Sequence, residues 1–157
     1  MSWNNPFPAF IRSFGYALQG LGHCIRRERN MRVHLSAAAL VLAFSACYGL
    51  ERAQYGLLVL AIGLVMVAEA FNTAIERAVD LAAKERRLLA GQAKDCAAAG
   101  VLLAAVTAVF VGWALFGDWP RLLAAIGGIA RSPLKLAGFG ILALAGGYFS
   151  FFWRASR

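Results

Sequence analysis

Three carboxylates and one amide share a single apolar run of this chain. Glu69, Asn72, Glu76 and Asp80 stand at offsets 0, 3, 7 and 11 in the segment Glu69-Ala70-Phe71-Asn72-Thr73-Ala74-Ile75-Glu76-Arg77-Ala78-Val79-Asp80. A helix turning 100° per residue gathers them within about 80° of arc, on a stripe about 16 Å long at 1.5 Å rise per residue. Ionisable groups on a membrane helix are costly unless they face partners or water, so such a stripe marks a functional wall. Oxygen ligands at this density suit Mg²⁺, which keeps waters and is shared between one or two carboxylates and substrate phosphates. Lys94 adds a phosphate-binding cation beside Asp95, and Glu28 precedes the first apolar run, so these groups collect at one membrane face. Two other readings use the same residues. The carboxylates can pair with Arg77, Arg26 or Arg32 and set helix register, or they can form a proton or cation pathway in a small transporter. No Walker loop and no HRD or DFG signal is present.

The elements that must hold these groups follow from composition. Of 157 residues, 61% are hydrophobic and 15% charged, with a mean hydropathy of +0.63. Globular domains run near 45–50% apolar and about 25% charged, so the excess faces lipid. About 20 apolar residues cross a bilayer, which leaves room for three or four crossings and no separate soluble catalytic domain. The net charge of +8 comes from Arg and Lys between the apolar runs, where they set topology and meet anionic head groups. No nucleic-acid module is recognisable.

The N-terminus has no signal-peptide pattern, because Pro6, Pro8 and Arg12 interrupt it. Phe10–Asn30 reads as an amphipathic surface helix, with Phe10, Phe14, Ala17, Leu18, Leu21 and Ile25 at spacings of three and four. Four low-charge stretches follow: Val33–Leu50, Ala53–Ala68 continuing to Ile75, Cys96–Gly117, and the glycine-rich Leu136–Trp153. Backbone satisfaction in lipid makes them helices. The expected fold is an all-α membrane protein: an N-terminal segment over residues 1–33, a three-helix transmembrane core over 34–117, and a loop with a fourth transmembrane helix over 118–157. An N-inside, C-inside arrangement places 12 Lys and Arg on one side and 4 on the other, which favours it. Cys24, Cys47 and Cys96 have no CxxC spacing and read as small apolar fillers. His23 and His34 lack a ligand at i+4 and read as interfacial or core histidines. Trp3, Trp113, Trp119 and Trp153 read as an interfacial belt.

The run Glu69-x-x-Asn72-Thr73-Ala74-Ile75-Glu76-x-x-Val79-Asp80, the later Ala93-Lys94-Asp95, and Glu28-Arg29-Asn30-Met31-Arg32 resemble the signature of the small prokaryotic integral-membrane diacylglycerol kinase and undecaprenol kinase family. The resemblance covers about residues 10–117. It implies an ATP- and Mg²⁺-dependent lipid kinase, homotrimeric, in the cell (inner) membrane with its N-terminus and active site cytoplasmic. By that resemblance Glu69 is the general base, and Glu28 and Glu76 hold the Mg²⁺ on the ATP phosphates. Lys94 contacts phosphate, while Asp95, Asp80, Asn72, Tyr16 and Glu85 form or support the nucleotide pocket. Glu69, Arg32 and Ala98 face the lipid substrate. Arg86 and Arg87 depart from the pattern, standing where some relatives carry an aromatic and a histidine. Glu28-Arg29-Asn30-Met31-Arg32 resembles the undecaprenol-kinase branch more than the diacylglycerol branch. The fourth helix is expected to be peripheral, packed through its glycines and without a catalytic group.

Overall fold

A computed structural model describes residues 6–82 and 88–153, with side chains from residue 10 onward. Lys84, Glu85, Arg86, Arg87, Trp3, Arg154 and Arg157 lie outside the described residues. The described chain is built of six helices: α1 (Pro6–Arg27), α2 (Arg29–Tyr48), α3 (Arg52–Ala82), α4 (Leu88–Phe116), α5 (Trp119–Ala130) and α6 (Pro133–Phe151). By length and hydropathy, α2, α3, α4 and α6 are each able to cross a membrane. Their large uncovered side chains, among them Leu60, Leu102, Leu103, Val109, Phe110 and Leu144, form the lipid-facing surface.

The surface helix ends three residues earlier than its periodicity predicts. Arg26 and Arg27 occupy the last turn of α1, where positive charge complements the helix dipole. Glu28 then leaves helical geometry at φ −99° and ψ 118°. It is the single residue between α1 and α2, so a candidate functional carboxylate is the elbow itself. At the other end of α2, Gly49 takes a left-handed φ of 77° and its N–H bonds to Ser45 O, a conformation glycine adopts without a Cβ penalty.

α3 sets the depth of the site. Its 31 residues extend about 46 Å at 1.5 Å per residue, well beyond a hydrocarbon core of about 30 Å. At that rise Glu69 stands about 26 Å along the helix from Arg52, and Glu76 and Asp80 about 36 and 42 Å, so the last two lie beyond the ~30 Å that a hydrocarbon core spans counted from that end. α4 pairs along α3 in the most extensive helix contact of the molecule and returns Lys94 and Asp95 to the same end.

The connection after Gly117, expected as a loop, contains the 12-residue helix α5. Asp118 caps it by accepting the Arg121 N–H at 3.1 Å, and Pro120 sits in its first turn, where no intrahelical N–H is needed. At about 18 Å it is too short to cross. It lies over the far end of α2, where Arg121 Nε donates to Tyr48 O at 3.1 Å, Nη2 donates to Gly49 O, and the guanidinium stacks 4.6 Å from the Tyr48 ring centroid. The main buried cluster gathers there, with Tyr48, Leu50, Leu58, Leu115 and Ala125 at its centre and Phe44 and Phe116 packed on it. The Phe44, Tyr48 and Phe116 rings meet at 5.0 to 6.0 Å.

α6 runs back along α2. Ser132 caps it through the Lys135 N–H. Ser36 Oγ bonds to Arg32 O at 2.9 Å, to Gly146 O at 3.2 Å and to Ser150 Oγ at 3.1 Å. A Cβ on Gly146 would stand 3.0 Å from the Ser36 Cβ, so glycine permits this approach. The fourth helix therefore packs on α2 through one of its glycines, Gly146, while Gly138, Gly140 and Gly147 face open space, and it brings Trp153 back to the α1–α2 elbow.

Candidate active site

The stripe on α3 is graded from buried to open. Glu69 is 2% exposed, Asn72 and Glu76 are half-buried and Asp80 is exposed. Asn72 Nδ2 donates to Glu76 Oε1 at 3.0 Å, one helical turn along, which orients that carboxylate. Arg77 Nη2 lies 3.9 Å from Glu28 Oε1, tying the elbow carboxylate to the same helix. Lys94 pairs with Asp80 across the α3–α4 hairpin. The structure thus brings Glu28, Glu69, Asn72, Glu76, Asp80 and Lys94 into one neighbourhood at one end of the bundle.

Other residues singled out by the sequence sit differently. Tyr16 is 69% exposed on α1, and Asp95 and Ala98 are exposed on α4. Tyr16 and Asp95 form no hydrogen bond or ion pair among the described residues. Arg32 is 8% exposed, and its Nη1 donates to Ile25 O and Arg26 O at 3.1 and 3.2 Å, closing the end of α1. Glu85 belongs to the connection outside the described residues. Cys24, Cys47 and Cys96 are free thiols.

His34 is the residue that sequence spacing missed. Its Nε2 stands 3.4 Å from Glu69 Oε1, within ion-pair reach but off the hydrogen-bond line, since that buried oxygen has no hydrogen-bond partner. His34 is also the ionisable side chain on the wall of an apolar groove of about 420 Å³ between α2, α3 and α4, lined by Val41, Leu58, Ile62, Val65 and Phe116 among others. The groove reaches from the far aromatic cluster to the histidine beside Glu69. No local pattern announces the pair, because its members are 35 positions apart on different helices.

The donor set is suited to Mg²⁺. Glu28 and Glu76 are the two carboxylates that the resemblance assigns to the metal, and both stand at the polar end of α3, Glu28 through its ion pair with Arg77. Two carboxylates with the balance from water and phosphate is the mode Mg²⁺ favours. Asn72 Oδ1 is buried without a partner, an orphaned acceptor of the kind a cation or its water satisfies.

Residues 15–116 match the family described as prokaryotic diacylglycerol kinase. A diacylglycerol kinase of Synechocystis sp. is 40% identical over 109 residues, covering 69% of this chain and 62% of the relative, which is less than two thirds of that protein's length. An undecaprenol kinase of Bacillus subtilis is 36% identical over 112 residues, covering 71% of this chain and 91% of the relative. A diacylglycerol kinase of Escherichia coli is 32% identical over 115 residues, covering 71% and 94%. Fold, site and relatives together define a small multi-pass membrane lipid kinase. The chain belongs to the prokaryotic diacylglycerol kinase family, with α5 and α6 outside the matched residues.

Proposed function

We propose that this protein transfers the γ-phosphoryl group of ATP to the hydroxyl of a membrane lipid alcohol, either diacylglycerol or undecaprenol, giving phosphatidic acid or undecaprenyl phosphate. The observation that carries this reading is a buried carboxylate, Glu69, placed with His34 where an apolar groove meets the polar end of α3. The groove suits a hydrocarbon chain, and Glu69 is then within reach of a hydroxyl at the chain's head. Glu76 lies two turns further out, about 10 Å along the helix at 1.5 Å per residue, on the side where water and nucleotide arrive.

Phosphoryl transfer asks mainly for positioning and charge neutralisation. Glu69 takes the lipid hydroxyl's proton as the lipid oxygen bonds to the γ-phosphorus and the bond to the β-phosphate oxygen breaks, releasing ADP. Glu28 and Glu76 hold Mg²⁺, which when bound neutralises charge on the phosphates. Lys94 faces the same phosphates, with Asp80, Asn72, Asp95, Tyr16 and Glu85 forming or supporting the nucleotide pocket, and Ala98 and Arg32 lie on the lipid side. In this reading residues 34–117 are the kinase core, the chain is a homotrimer, and the site faces the cytoplasm from the inner membrane, in keeping with the concentration of Lys and Arg at that end.

The test is an assay of the purified chain in mixed micelles with Mg·ATP and each lipid alcohol. ADP and phosphorylated lipid should appear in equal amounts. Absence of both products with every lipid would overturn the reading.

A further inference from the structure

Of the two helices outside the family match, α6 reaches the site by a chain of contacts. Glu28 is the sole residue of the α1–α2 elbow, so its direction depends on how the two helices are locked together. Arg32 forms that lock. One turn into α2, it is buried and donates from Nη1 to the carbonyls of Ile25 and Arg26, which as last-turn groups have no intrahelical partner of their own. Its positive charge sits at the negative end of the α1 dipole. Its Nε makes no hydrogen bond, and the guanidinium lies 5.8 Å from the ring centroid of Trp153, the residue just beyond the Phe152 cap of α6. Such an arrangement is attractive through the ring quadrupole and strengthens as water is excluded. Trp153 is itself held by its N–H to Tyr148 O at 3.0 Å and by packing on Phe149 at 5.4 Å. One turn along α2, the Ser36 hydroxyl stands 2.9 Å from Arg32 O and 3.2 Å from Gly146 O, which share its single proton, and 3.1 Å from Ser150 Oγ, which can donate to it, so it helps hold α6 in register on α2.

We propose that α6 is an intramolecular clamp in which Trp153 holds Arg32, Arg32 holds the α1–α2 elbow, and the elbow aims Glu28 at the metal–nucleotide site. Trp153 and Arg32 are positioning residues here. They act on the reaction through Glu28, which rests on the lipid-kinase reading for its metal role, whereas the state of the elbow is measurable without turnover. α6 contributes no catalytic group, yet a substitution at its end reaches the metal requirement.

The experiment compares the full-length chain with Trp153→Ala, the conservative Trp153→Phe, and Phe152→Ala as a control on the adjacent exposed ring. Hydrogen–deuterium exchange in micelles reads the amides of residues 26–30, with the α3–α4 pair as the internal reference for folding. Mg²⁺ titrations of kinase activity at saturating ATP and lipid read Glu28. Trp153→Ala should speed exchange at the elbow by about 5- to 30-fold, the range a partly desolvated cation–π contact carries, and raise the half-saturating Mg²⁺ by a similar factor, with kcat at saturating Mg²⁺ little changed. Trp153→Phe should recover most of both, and Phe152→Ala should match the wild type. Unchanged elbow exchange in Trp153→Ala overturns the clamp. Faster exchange with an unchanged Mg²⁺ requirement overturns its connection to Glu28. Should the wild-type chain phosphorylate no lipid, the kinase reading fails while the exchange measurement still decides whether α6 holds the elbow.

Discussion

Glu69 combines almost complete burial with an unpartnered oxygen and a histidine at 3.4 Å. On the proposed reading Glu69 is the base that takes the lipid hydroxyl's proton. Glu69→Gln keeps the shape and removes the base, so kcat should fall by about 10²- to 10⁴-fold, with nucleotide affinity, read by equilibrium binding, nearly unchanged. His34→Ala should lower kcat less, by about tenfold, ~1.4 kcal/mol in barrier, because it removes a neighbour of the base and leaves the base itself. Wild-type turnover in the glutamine variant would remove Glu69 from the chemistry. Glu28 and Glu76 make a second comparison. If they share one Mg²⁺, each Gln variant should raise the Mg²⁺ requirement and the double variant should lose little beyond the worse single, because groups acting as a unit are not additive. Additive losses in Mg²⁺ titrations would assign them separate roles. At this scale the stripe was legible because Glu69, Asn72, Glu76 and Asp80 share one helix and one period. His34 was not, since its partner is set by the packing of α2 on α3, and the nearest local test, a ligand at i+4, is blind to that.

At the scale of the helix, position follows from where each one ends. α3 overruns the hydrocarbon on the side of Asp80, α1 stops at Glu28, and α2 stops at Gly49 under Arg121. The four long apolar helices could be read from hydropathy because each crosses a thickness that demands a long uncharged run. α5 escaped that reading because 12 residues leave no such run, although Asp118 and Pro120 carried the N-terminal signature of a helix. Arg121 makes α5 a cap on α2, satisfying carbonyls that a helix end leaves open. Arg121→Ala should destabilise the fold by about 1 to 2 kcal/mol, from the lost charged hydrogen bonds and the contact over Tyr48, seen as a lower unfolding midpoint in micelles. Because this contact is at the end remote from Glu69, kcat below the transition should match the wild type. A change in kcat without a change in midpoint would show that α5 acts on the site.

At the scale of the whole molecule, the return of α6 along α2 puts Trp153 beside the α1–α2 elbow, and four helices are long and apolar enough to cross a membrane. Hydropathy allowed those four helices to be read in advance. It did not reveal that α6 packs on α2, since glycine spacing marks a close approach without naming the partner. The groove between α2, α3 and α4 is walled by aliphatic side chains, and such walls discriminate by only about 1–3 kcal/mol per methylene-scale difference. Diacylglycerol and undecaprenol should therefore both be phosphorylated, with kcat/KM within about 200-fold, about 3 kcal/mol, in parallel micelle assays; complete rejection of one would require a polar selector beyond His34, the polar side chain among the groove's described lining. The aromatic cluster of Phe44, Tyr48 and Phe116, finally, lies at the end of the bundle away from Glu69. Robustness and reactivity are thus segregated toward opposite ends of the bundle, so a mutational survey scored for protein abundance and one scored for lipid phosphorylation should draw two maps that overlap little, meeting chiefly on α3, which carries Leu58 at one end and Glu69, Asn72 and Glu76 toward the other.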